Sequence, residues 1–152
     1  MGALDQLLNA VGTWRATYKL RDPANTISGD SHSTARVAAV LGGRFVRIDY
    51  TWSDQGAPQG GSLLVGWEEA SGAVTMVWID TWHNSDRIMV LAGVAGDDGT
   101  LDARGSYPAP PGPDWGWRTQ LFATEDVLSM VMFNVSPEAG EELAVDAQYV
   151  RA

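Results

Sequence analysis

The sequence predicts an all-β fold: a closed antiparallel up-and-down barrel of about ten strands with a short N-terminal helix. Three observations point there. From Trp14 onward apolar and polar residues alternate with period 2, the rhythm of half-buried strands. Turn residues interrupt that rhythm every ~8–14 residues. The links between segments are short, which favours antiparallel neighbours, and an open sheet this wide would leave edges prone to aggregation. A sandwich with Greek-key links is the alternative architecture, and it would need a long crossing connection.

The helix comes first, over Ala3 to Val11, where Leu4, Leu7, Leu8 and Val11 recur at three- and four-residue spacing. Trp14, Ala16, Tyr18 and Leu20 then alternate with Arg15, Thr17, Lys19 and Arg21. Ser31 to Leu41 is a second strand, and the pair Gly42-Gly43 opens a third, with Val46, Ile48, Tyr50 and Trp52 on one face. DQGAPQGG reads as a loop by composition. SLLVGWEE, AVTMVWIDTWH and DRIMVLAGVA follow, the middle one taken to run from Ala73 to His83. The hairpin signal GDDG precedes TLDARGSY. After the proline-rich loop PAPPGPD come WGWRTQLFA, DVLSMVMFN and ELAVDAQYV.

One domain of 152 residues, 45% hydrophobic, can bury a genuine core, which argues against disorder. The net charge of -9, with one lysine, disfavours binding to nucleic acid or to anionic membrane surfaces. No apolar run approaches the ~18 residues of a membrane-spanning helix. The N-terminal segment lacks the basic and apolar regions of a signal peptide, so the expected location is cytoplasmic. With no cysteine, disulfides, thiolate metal sites and cysteine nucleophiles are excluded.

GTW (Gly12 to Trp14) at the head of the first strand resembles the Gly-x-Trp start of lipocalins and the wider calycin group. With LGGRFV, LVGWEEASGAVTMVWID and the terminal QYVR, the chain resembles a family of small uncharacterised bacterial lipocalin-like barrels carried as a domain of unknown function. It is more distantly similar to nitrobindin-like and fatty-acid-binding barrels. The calycin resemblance implies that Trp14 closes one barrel end under Arg151 from the last strand, a guanidinium-on-indole contact of ~0.5–2 kcal/mol. The nitrobindin similarity would imply haem on a late-strand histidine, and Trp115 to Arg151 contain none, so no cofactor is expected.

The candidate site centres on TMVWIDTWHNS. In a regular strand Trp78, Asp80 and Trp82 share one face, here expected to be the lumen, and His83 lies on the other. Apolar rings with a few polar groups are the usual lining of a ligand cavity. The expected ligand-binding residues are therefore Tyr50, Trp52, Trp78 and Trp82 as apolar wall, with Asp80 or Arg118 orienting the ligand. Asp30 and His32 share a strand face and could form an oriented base. Two histidines 51 positions apart make no metal site by spacing, and no catalytic motif is present. The leading expectation is binding of a small, largely apolar molecule. The alternatives are an enzyme using the cavity for isomerisation or cyclisation, and a Trp-rich module that binds a partner or forms a homodimer.

Overall fold

The computed structural model describes residues 2–152. Ten antiparallel strands close into one barrel, each paired with its neighbours in sequence and β1 paired with β10. In chain order these are α1 (Asp5–Asn9), β1 (Gly12–Asp22), β2 (Ile27–Val40), β3 (Phe45–Asp54), β4 (Ala57–Trp67) and β5 (Ala73–Asp80). Then follow β6 (Met89–Ala95), β7 (Leu101–Tyr107), β8 (Trp115–Ala123), β9 (Val127–Ser136) and β10 (Gly140–Arg151). A single 3-10 turn, Pro23–Asn25, links β1 to β2. No helix among the described residues is long and apolar enough to cross a membrane.

Alternation sets the faces. Val46, Ile48, Tyr50 and Trp52 of β3 are buried in the lumen, as are Val74, Met76, Trp78 and Asp80 of β5. On β10 a register irregularity between Leu143 and Val145 leaves Ala144 and Val145 both buried, the signature of a bulge. The long arms of β2 and β4 reach beyond the predicted limits: β2 begins at Ile27 rather than Ser31, and β4 begins inside the expected loop, at Ala57.

The helix is a plug of five residues, shorter than the periodic pattern suggests. Its extent is cut by Gly12, whose φ of 140° turns the chain directly into β1. Leu7 is fully buried at the barrel end. The Gln6 side chain bridges the β6–β7 loop and the end of β8, donating to the Gly99 carbonyl and accepting from Ala123 N at 2.8 Å. Beside it, Trp14 is fully buried and its indole donates to the Ala10 carbonyl at 2.8 Å. The Arg151 guanidinium lies 4.2 Å from the Trp14 ring centroid. It also donates to the carbonyls of Asn9 and Val11 at 3.0 and 2.9 Å, satisfying groups that the end of a helix leaves open. A side chain at Gly12 would collide with this guanidinium.

Candidate functional site

With α1 sealing one end, the opposite end carries the β1–β2, β3–β4, β5–β6, β7–β8 and β9–β10 links. Between them opens a cleft of about 1070 Å³. Its walls include Trp78, Trp82, His83, Tyr107, Trp115 and Trp117, with charged residues such as Asp22, Arg87 and Glu138 around the rim.

The site is built around Asp80, the last residue of β5. Its Oδ1 accepts the backbone N–H groups of Trp82 and His83, both at 2.9 Å. This side-chain-to-backbone turn ends the strand three residues earlier than the alternation suggests. Its Oδ2 accepts the Tyr50 hydroxyl at 2.7 Å and the Trp52 indole N–H at 3.3 Å. Tyr50 in turn accepts the Trp78 indole N–H at 2.9 Å. Each carboxylate oxygen thus serves two donors, which satisfies a buried polar group without a counter-ion. Gly61 lies opposite Tyr50 in the register, and a Cβ there would strike the phenol ring.

The turn carries His83 inward, and here the structure corrects the sequence expectation. His83 is not on an outward face: its ring centroid is 4.8 Å from that of Trp82, 5.1 Å from Trp117, 5.6 Å from Trp78 and 5.7 Å from Trp52. Strict alternation fails because the chain stops being a strand at Asp80. Behind the imidazole, Tyr18 stacks on Trp52 at 4.6 Å and its hydroxyl is 3.4 Å from His83 Nε2. Trp78 and Trp117 stack at 4.9 Å. Burial pushes the His83 pKa below its ordinary value, against the opposing pull of Asp80 and Asp22. Burial, reinforced by Asp80, pushes the phenols of Tyr18 and Tyr50 well up, so both stay protonated.

The predicted site residues separate into three groups. Trp78 and Trp82 line the cleft. Trp82 is half-buried and ties its indole N–H to Asp54 at 3.1 Å. Tyr50, Trp52 and Asp80 are buried behind that wall. Arg118 is a correction: it lies outside the barrel, because Trp117 and Thr119 take the inward positions of β8. There it pairs with Asp102 at 2.6 Å and Glu141 at 3.1 Å, so it cannot orient a ligand in the lumen. The Asp30–His32 pairing is also absent, since Asp30 faces Arg21 at 2.9 Å on the exposed surface. Sequence reading misses Tyr18, places His83 on the outer face, and leaves Trp117 open between a rim over the cavity, a dimer patch and ordinary core. The turn-forming run Asp80, Asn84, Ser85, Asp86 was the available signal that the strand ends early.

Among the described residues two buried polar atoms, Trp117 Nε1 and Thr119 Oγ1, have no partner, an imbalance of about 1–3 kcal/mol each. Among the described residues no group of three or more His, Cys, Asp or Glu side chains could hold a metal ion.

Fold and site together define a lipocalin-like barrel, sealed at one end by a helix and a Trp–Arg stack and open at the other onto an aromatic cleft. The chain belongs to the family described as "Protein of unknown function (DUF1579)", whose model matches residues 4–151. Among solved structures it is similar to Rv2717c from M. tuberculosis, with 16% identity, a TM-score of 0.66, and coverage of 100% of this chain and 98% of that one. It is also similar to the S-type phycobiliprotein lyase CPES from Guillardia theta, with 13% identity, a TM-score of 0.64, and coverage of 100% and 93%. These likenesses bear on the fold. No curated protein matches the chain.

Proposed function

We propose that the protein binds a small, largely apolar, ring-bearing molecule in the cleft at its open end. The observation that carries this reading is the convergence of Trp78, Trp82, His83 and Trp117 on one cavity, their centroids 4.8–5.6 Å apart where they touch. Rings in such contact offer a flat guest both stacking and edge-on partners, worth about 0.5–1.5 kcal/mol per pair beyond area burial. Asp80 serves this wall from behind: it holds the turn and the rings, and both its oxygens are engaged.

Titration with the neutral fluorophore N-phenyl-1-naphthylamine tests the reading. Saturable enhancement of its emission at one equivalent is expected, with affinity reduced about tenfold in Trp82→Ala, the loss of one ring contact. Enhancement that never saturates, or a Trp82→Ala variant that binds like the parent, rejects it. A second reading is favoured by one feature. His83 is a neutral imidazole on the cleft wall, placed to move a proton within a bound molecule, as an isomerase would require.

A further inference from the structure

His83 has two ring nitrogens in different situations. Nε2 faces the Tyr18 hydroxyl at 3.4 Å, a long contact but the sole partner of that hydroxyl among the described residues. Tyr18 is fully buried. A phenol that accepted from the imidazole would leave its own O–H orphaned inside the barrel, whereas one that donates leaves only spare acceptor capacity. Tyr18 is therefore the donor and Nε2 the acceptor. A neutral imidazole with Nε2 as acceptor carries its proton on Nδ1.

Nδ1 makes no hydrogen bond among the described residues, and it is not one of the sealed, unpartnered polar atoms. Its N–H is thus presented to the cleft that His83 lines. The surrounding wall is made of indoles, whose faces accept no strong hydrogen bond. Among the described residues no lysine or arginine side chain is buried in the lumen. The orphan Trp117 Nε1–H belongs to the adjacent ring, 5.1 Å away centroid to centroid. Trp117 Nε1 is sealed, so within the ring array the donor presented to the cleft is His83 Nδ1–H, while carboxylates such as Asp22 and Glu138 lie at the rim.

We propose that the cleft selects flat conjugated molecules bearing a carbonyl-type oxygen, which accepts a hydrogen bond from His83 Nδ1–H while the ring system lies among Trp78, Trp82 and Trp117. This rests on the binding reading above and adds the polarity of the guest. A bare hydrocarbon of the same shape leaves the N–H unpaired and desolvated, which discriminates against it. Tyr18 acts as a positioning residue, fixing the tautomer from behind.

Two probes of matched shape test the proposal: 9-fluorenone, a flat tricyclic ketone, and fluorene, the same ring system without oxygen. Quenching of the protein's tryptophan emission gives both affinities. Fluorenone is expected to bind about tenfold more tightly, the scale of one well-placed hydrogen bond in a dry site. In His83→Phe, which keeps a flat ring and removes the donor, the ratio of the two affinities should fall to about one, whatever the absolute affinities become. The infrared carbonyl stretch of fluorenone bound to the unsubstituted protein gives an independent reading that needs no variant. It should move from its position in hexane towards its position in water. Equal affinities, a preference that survives in His83→Phe, or a hexane-like stretch overturns the proposal and leaves the binding reading intact. Failure of both probes to bind removes the binding reading and the proposal with it.

Discussion

Asp80 concentrates more of the site than any other single side chain. Removing it frees two backbone N–H groups, a phenol and an indole at once. Asp80→Ala should cost about 3–5 kcal/mol in urea melts, the scale of breaking a buried charged hydrogen-bond cluster. A loss below about 1 kcal/mol would mean the ring array stands without it. Trp14, fully buried under Arg151, should cost a similar amount as Trp14→Ala, about 3–5 kcal/mol by denaturant melt. His83 adds a pH dependence. Its folded pKa lies below 6.5, so between the two values the unfolded chain binds more protons than the folded one. Stability therefore rises with pH across that window and is lost as pH falls through it. His83→Phe should flatten the slope of stability measured downward from about pH 6.5, and an unchanged slope would place its origin in another group.

Elements show where the sequence was legible and where it was not. The inward face of β3 reads straight off the alternation of Val46, Ile48, Tyr50 and Trp52, because nothing interrupts that strand. On β5 the same alternation holds as far as Asp80 and then misplaces His83, because a side chain captures two backbone N–H groups and ends the ladder. Period-2 reasoning carries no information about such a capture. On β8 the pattern identifies two faces, Trp115 and Trp117 against Arg118 and Gln120, without saying which is inside. The neighbouring strand decides it: Asp102 on β7 sits opposite Gln120 and draws the guanidinium outward. Since that pair is on the outer surface, Arg118→Ala should lower stability by no more than about 1 kcal/mol. Its affinity for N-phenyl-1-naphthylamine should match the parent's. Weakened binding would return Arg118 to the site.

The whole barrel closes through ladders of unequal length. β1 and β2 are in register from Gly12↔Val37 to Asp22↔Ile27, whereas β6 and β7 pair only from Ala92↔Arg104 to Ala95↔Leu101. Closure removes edges only while its shortest seam holds. Native-state hydrogen exchange should show the amides of the β6–β7 seam exchanging through local opening, well ahead of those between β1 and β2. Uniform protection around the barrel would mean that the lumen packing, with Leu91, Leu101 and Ala103 fully buried, compensates for the short ladder.

The near-parallel stack of Trp78 on Trp117, with centroids 4.9 Å apart and planes inclined by 23°, has an optical consequence. Two indole transition dipoles held so close and at a fixed angle couple, so the pair absorbs as one chiral chromophore and should add a signed doublet to the far-ultraviolet circular dichroism. One member is sealed in the lumen and both border the cleft. A guest that slides against or between them would change the coupling, giving the protein an intrinsic gauge of cleft occupancy that requires no label.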